Sequence, residues 1–309
     1  MFDLNENLIG KVLKSRRTRR SAMRNMLLAA AGAGTLGSLT RGVQAQAVGS
    51  GAGLDAAVLN FALNLEYLEA EFYSYATTGA GIESQGVAVN GAGTAGTVTI
   101  KSNPKVPFSN PLYMGFAEEL TGDEVAHVKF LRTALTAAGV QPVARPAINL
   151  MDSFTAAAQA AGIIQAGQTF DPFADESSFL LGAFIFEDVG VTAYKGGSRL
   201  LTNKDFLENA AGILAAEAYH AGVIRTLVYQ AGATAQGIAQ KISDLRDAVD
   251  GADDRDQGVV INDKVNLVPT DANGVAFSRN TRQILNIVYL APDASSGGFF
   301  PSGLNGEIH

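Results

Sequence analysis

Cysteine and tryptophan are both absent from the 309 residues, and histidine occurs three times, at His127, His220 and His309. Without cysteine the chain has no disulfide framework, thiol nucleophile, thiolate zinc site, haem-attachment motif or lipoprotein anchor. Imidazole chemistry is confined to three positions. Basic charge is scarce as well: 23 Lys and Arg against 30 Asp and Glu leave a net charge of −7, and no arginine-rich stripe interrupts the body of the chain. That balance gives no electrostatic footprint for DNA or RNA, so nucleic acid is not an expected partner. Apolar residues, by contrast, make up 47% of the sequence, enough to build a core in one large domain or two small ones.

The few basic residues are unevenly spread. Eight of the 23 (Lys11, Lys14, Arg16, Arg17, Arg19, Arg20, Arg24 and Arg41) fall within the first 47 positions, beside only Asp3 and Glu6. An apolar, Ala/Gly-rich run from Met26 to Leu39 follows, too short and too rich in glycine to span a bilayer stably. It reads as the h-region of a signal peptide, with Ala45-Gln46-Ala47 as the small-residue cleavage pattern and Val48 as the mature start. The segment Thr18-Arg19-Arg20-Ser21-Ala22-Met23 resembles a twin-arginine signal, although Ala22 stands where Phe is usual. An ordinary secretory signal is the alternative. Residues 1–47 are therefore expected to direct export, with the twin-arginine machinery as a transient partner. The mature protein is expected to be periplasmic or secreted, with no stable membrane span.

Beyond the leader, apolar positions at helical spacing predict a long helix over 54–76, ending near Gly79. Residues 79–106 are rich in Gly, Thr, Ala and Val and read as a loop with at most a small hairpin. Asn110-Pro111 is a good N-cap and first-turn pair for a second long helix that stops at Gly139. An irregular stretch with Pro142, Pro146 and Pro172 carries a short helix near 152–161. A third long helix is predicted over 175–196, and a fourth over 205–230 with Thr202-x-x-Asp205 as its capping pattern. A shorter amphipathic helix, 238–249, and one more apolar segment, 283–290, complete the chain. The expected architecture is all-α: a four-helix bundle over 48–235 with a Gly/Thr-rich insertion between its first two helices, and a partly irregular C-terminal extension, 236–309, packing on it.

An internal repeat says what the bundle holds. Laid over each other without gaps, Leu59-Asn-Phe-Ala-Leu-Asn-Leu-Glu66 matches Leu180-Leu-Gly-Ala-Phe-Ile-Phe-Glu187, and Tyr73 then falls on Tyr194. In the same way Glu124-x-x-His127 with Arg132-Thr133 matches Glu217-x-x-His220 with Arg225-Thr226. The order Glu, then Glu-x-x-His, thus occurs twice. The second half lacks the 28 residues contributed by the Gly/Thr-rich segment, which reads as an insertion into the first half. Residues at i and i+3 share a helix face, so each Glu-x-x-His offers a carboxylate and an imidazole to one point. Four buried carboxylates are too costly to keep ionised unless compensated, and two divalent cations with neutral imidazoles bring the sum to zero. Mixed carboxylate and imidazole ligands suit iron or manganese, with zinc a competitor. The alternative, exposed polar faces, fits poorly because Glu187 follows Phe179-Leu-Leu-Gly-Ala-Phe-Ile-Phe186 and Glu217 follows Ile213-Leu-Ala-Ala216.

Around this set, Asp123 lies one turn before His127 and is placed to orient an imidazole or carboxylate, whereas its repeat counterpart is Ala216, so the two metal positions are not expected to be equivalent. Tyr73 and Tyr194 are either core aromatics or hydrogen-bond donors to ligand carboxylates. Glu69 is the rival of Glu66, which the ungapped register favours. Arg132 and Arg225 are expected to pair with acids on the helix surface. Glu71, Glu118 and Glu119 are expected at the surface or just outside the ligands, and His309 in solvent.

The segments Leu59–Tyr73, Glu124-x-x-His127-Val-Lys-Phe-Leu-Arg132, Phe184–Gly196 and Val268–Arg279 resemble the ferritin-like superfamily, and more closely its exported branch that includes plant and bacterial desiccation-related proteins. The resemblance covers nearly all of the mature chain. It implies a ferritin-like four-helix bundle and the metal ligands Glu66, Glu124, His127, Glu187, Glu217 and His220. It leaves the reaction open, because related bundles store iron, oxidise substrates or destroy peroxide. The first expectation is an exported di-metal protein, a di-iron or di-manganese oxidoreductase reacting with oxygen or peroxide in stress protection. The second is a non-catalytic desiccation or stress-protective protein whose metals only brace the bundle. A hollow storage cage is third, obstructed by the insertion and the long tail.

Overall fold

The computed structural model of the chain describes residues 50–309, so the expected export signal lies outside the described residues. Seven α-helices dominate them: α1 (Ser50–Thr78), α2 (Pro111–Ala137), α3 (Asp152–Ala160), α4 (Glu176–Ser198), α5 (Lys204–Gln230), α6 (Ala233–Asp250) and α7 (Thr281–Val288). The four long ones form the bundle. α1 packs most extensively on α2, and α4 on α5, and the pairs meet through α1 against α4 and α2 against α5. No helix among the described residues is long and apolar enough to cross a membrane.

Local chemistry sets most helix ends. The Asn110 side chain accepts from Leu112 N at 2.9 Å, and Pro111 occupies the first turn, where no amide donor is required. Asp175 caps α4 by accepting from Ser178 N at 2.7 Å. At α5 the cap is Asn203, one residue later than the Thr202 pattern predicts, accepting from Asp205 N and Phe206 N. Thr202 is drawn away by buried Asp55 of α1, whose carboxylate takes the Thr202 amide at 2.7 Å, the Asn203 amide at 2.9 Å and the Thr202 hydroxyl at 3.0 Å.

The insertion forms no hairpin of its own. It carries a 3₁₀ turn (Ile82–Gln85), and β1 (Val98–Thr99) pairs in parallel with β2 (Ile148–Asn149) of the irregular connection. The backbones lie so close that a Cβ at Gly96 would sit 2.1 Å from Ala147 N, which accounts for part of the glycine content. A second small ladder, β3 (Val260–Ile261) with β4 (Lys264–Val265), lies in the C-terminal extension.

Every residue from Phe179 to Gly190 is buried, because α4 is covered by α1, α5, α6 and α7. That explains an apolar run without a polar face. One buried ion pair joins the extension to the bundle, Arg246–Asp188 (3.1 Å). It belongs to a network in which Arg225 of α5 also pairs with Asp188 (2.7 Å), while Arg246–Asp256 (2.5 Å), Arg279–Asp256 (2.9 Å) and Arg279–Asp250 (2.5 Å) tie the extension to itself. Arg225 therefore pairs with a buried acid and also donates to the carbonyls of Gly258 and Asn266. The expectation of a surface partner is wrong because the extension covers that face of α5. Gly196 is required by the same arrangement, since its Cβ would fall 1.8 Å from the Arg279 carbonyl oxygen.

Candidate metal centre

Four helices each deliver one part of the predicted set to the bundle interior. Glu66 comes from α1, Glu124 and His127 from α2, Glu187 from α4, and Glu217 and His220 from α5. One oxygen or nitrogen from each of Glu66, Glu124, His127 and Glu217 lies within 4.8 Å of the others, and the same holds for Glu124, Glu187 and His220. Glu124 belongs to both groups. The two imidazole rings face this shared carboxylate with centroids 6.2 Å apart.

The polar atoms are close but unsatisfied. His127 Nδ1 lies 3.2 Å from Glu66 Oε2, 3.4 Å from Glu124 Oε2 and 3.7 Å from Glu217 Oε1. His220 Nδ1 lies 3.0 Å from Glu124 Oε1 and 3.5 Å from Glu187 Oε2. Yet Glu66 Oε2, both oxygens of Glu124 and Glu217, Glu187 Oε2 and both Nδ1 atoms are buried without a hydrogen-bond partner. Orphaned buried polar atoms are rare and call for an explanation such as an ion. The residues fit one. Metal–ligand bonds of ~2.0–2.2 Å put neighbouring ligand atoms about 3 Å apart, the range of these nitrogen–oxygen separations.

Hydrogen bonds outside the cluster aim its members. Tyr73 of α1 donates to Glu187 of α4, and Tyr194 of α4 donates to Glu66 of α1, so the repeat in sequence is a reciprocal exchange in space. Asp123 Oδ2 lies 3.3 Å from His220 Nε2 and directs Nδ1 at the carboxylates. Ala216 offers nothing equivalent to His127, so the halves differ as expected. Arg132 reaches the Tyr67 hydroxyl at 2.5 Å and the Asn90 carbonyl at 2.9 Å instead of a surface acid. Glu118 and Glu119 are exposed, and so is His309. Glu71 corrects the expectation of a surface or near-ligand acid: it is fully buried and paired with Arg145, away from the cluster. Glu69 is buried as well, beside the cluster but in neither ligand group. Its apolar neighbours Leu68 and Ala70 were the available signal, weakened because α1 is apolar on nearly every face.

Electrostatics show a demand for positive charge. Burial pushes Glu66 up to about 7, against the pull of His127. Burial and the surrounding glutamates hold Glu69 and Glu217 well above the usual carboxylate range. Glu187 is raised chiefly by burial, opposed by His220. Glu124 runs the other way: burial works against its charge, but it lies between both imidazoles, which together hold it below the usual range. The imidazoles respond in kind. Burial alone would lower them, whereas Glu66 and Glu124 raise His127, and Glu187, Asp123 and Glu124 raise His220. These shifts answer a crowding of buried negative charge that divalent cations could neutralise in place of protons.

A ferritin-like domain profile matches residues 54–230, from the first turns of α1 to the end of α5, and the chain belongs to the ferritin-like family. It is 28% identical over 271 residues to the desiccation-related protein PCC13-62 of Craterostigma plantagineum, covering 82% of this chain and 83% of that one. It is 26% identical over 272 residues to the ferritin-like catalase Nec2 of Nesocodon mauritianus, covering 82% and 84% respectively.

Proposed function

We propose that the chain is an exported di-metal carboxylate protein, holding iron or manganese and reacting with oxygen or hydrogen peroxide in stress protection. The observation that carries this reading is the convergence of buried, unpartnered donor atoms from Glu66, Glu124, His127, Glu187, Glu217 and His220. Glu66, Glu124, His127 and Glu217 would hold one ion, and Glu124, Glu187 and His220 the other, with Glu124 shared. Bound there, such ions would supply one-electron redox chemistry at positions that six protein ligands leave partly open. The chain's own residues do the rest. Tyr73 and Tyr194 anchor one oxygen each of Glu187 and Glu66, Asp123 fixes the His220 tautomer, and burial keeps bulk water from the carboxylates.

The names of the two relatives, a catalase and a desiccation-related protein, favour peroxide over other oxidants and stress over storage. The second reading, a protective protein braced by its metals, rests on the desiccation-related relative alone. The test is anaerobic loading with ferrous or manganous ion, addition of peroxide, and measurement of peroxide loss beside a Glu124→Ala, Glu217→Ala control. Wild-type protein that binds metal yet consumes peroxide no faster than the control would leave the bracing role.

A further inference from the structure

Glu69 is only 6% exposed, and none of the side-chain hydrogen bonds among the described residues reaches its carboxyl, although its oxygens are not among the fully enclosed unpartnered atoms. A carboxyl so far withdrawn from bulk water needs a partner from whatever occupies the space it opens onto. Unlike the six clustered residues it belongs to neither ligand group. It faces a cavity of about 210 Å³ between α1 and α4, roofed by α7. The walls are almost wholly apolar, among them Ala62, Leu65, Ile185, Ala193 and Ile287, and Glu69 is the sole acid in the lining.

Apart from Thr281 and Arg199, the other polar side chains that line this space are committed. Tyr194 donates to Glu66, and Arg279 is taken by Asp250 and Asp256. Asn280 caps α7, and Ser198 donates to the Lys195 carbonyl. Arg199 and Leu200 are exposed and mark the open end. The inner end abuts the candidate metal centre: Gly190 lines the cavity, and a Cβ there would lie 2.3 Å from Glu217 Oε2 and 3.5 Å from Glu69 Oε1.

We infer that this cavity is a binding site for a neutral aliphatic alcohol, its chain against the apolar walls and its hydroxyl on Glu69. The hydroxyl is the group that suits the carboxyl in either protonation state, because it donates to a carboxylate and accepts from a carboxylic acid. An aldehyde only accepts, and an alkane leaves Glu69 unsatisfied. The cavity exceeds the ~150 Å³ that takes a benzene ring, which sets the ligand at about six to eight carbons. Binding of this kind requires no metal.

The experiment is calorimetric titration of metal-free and manganese-loaded protein with 1-butanol, 1-hexanol, 1-octanol and 1-decanol. Affinity should tighten by about fourfold per methylene up to 1-hexanol or 1-octanol and then level off. Ala193→Phe and Ala62→Phe, which fill the cavity from opposite walls, should each abolish saturable binding, with the fold checked by circular dichroism. Glu69→Leu should weaken 1-hexanol by about tenfold and leave 1-chlorohexane unchanged. The proposal is overturned if the wild-type protein shows no saturable alcohol binding, if both filled variants bind normally, or if Glu69→Leu binds 1-hexanol as tightly. It is overturned equally if octanoate binds more tightly than 1-octanol, which would seat a carboxylate on Arg199 at the mouth. Titration of the metal-free protein keeps these outcomes separate from failure of the metal reading.

Discussion

Adding one methyl group at Gly190 should remove a metal without removing a ligand. A Cβ at this position in α4 lies 2.3 Å from Glu217 Oε2 and 3.0 Å from Glu217 Cδ. Ordinary contact needs ~3.5 Å, so the carboxylate must retreat by about 1 Å, several times the ~0.2 Å that metal coordination tolerates. The loss falls on the group of Glu66, Glu124, His127 and Glu217. Affinity there should drop by about 100-fold, and calorimetric titration with manganese should report one tight site in place of two. The fold should survive, because the helix gains about 1 kcal/mol from Gly→Ala against an overpacking cost of about 1–3 kcal/mol. The metal-dependent part of stability is what changes. At a metal concentration about 100 times the wild-type Kd, that site stabilises wild type by about 2.7 kcal/mol and the variant by about 0.4 kcal/mol. The metal-induced rise in Tm should shrink by roughly 5–9 °C. A Gly190→Ala protein that binds two ions with wild-type affinity would show that Glu217 is not a ligand.

Glu66→Ala should lose metal as severely as Glu187→Ala while Glu69→Ala keeps most of it, by elemental content; the reverse ranking would shift the ligand on α1 by one helical turn. Arg225→Met strips Asp188 of one of its two guanidinium partners and leaves the Asn266 carbonyl unpaired, while the Gly258 carbonyl keeps only the Asn266 side-chain amide. It should cost about 3–5 kcal/mol in urea denaturation, and a cost below about 1 kcal/mol would mean the network around Asp188 does not hold the extension. Burial, aided by Asp256, Asp254 and Asp250 and opposed by the Arg255 amide, pushes Asp247 up from 3.8 to about 6. The folded chain therefore binds this proton more tightly than the unfolded chain, and the associated stability is full below pH 3.8 and lost as pH rises through about 6. Asp247→Asn should match wild type at pH 4 and exceed it by about 1 kcal/mol at pH 8, after allowance for solvent screening; equal stability at both would refute the shift. Replacing Arg19 and Arg20 by Lys should trap precursor in the cytoplasm, whereas normal export would point to the general secretory route.

The sequence by itself determined the features that depend on spacing over a few residues. A helix places i and i+3 on one face whatever surrounds it, so Glu124-x-x-His127 and Glu217-x-x-His220 were legible as paired donors, and the ungapped repeat set Glu66 opposite Glu187. Asn110-Pro111 and Asp175 marked their helix starts for the same reason: a capping side chain acts on amides two or three positions away. Only the tertiary structure decided the rest. Thr202 lost its capping role to Asp55, 147 residues earlier, and Val98–Thr99 joined Ile148–Asn149 instead of folding back on itself. Arg225 found Asp188 because the extension sealed that face of α5, and Tyr73 and Tyr194 exchanged partners because α1 crosses α4. Glu69 and Glu71 sit two residues apart on one helix, yet one faces a cavity and the other an arginine. Nothing local separates them, since α1 is apolar on nearly every side and its burial pattern carries no period. The face each side chain meets is set by which distant segment packs there, and that choice rests on energies summed over contacts between segments far apart in the chain.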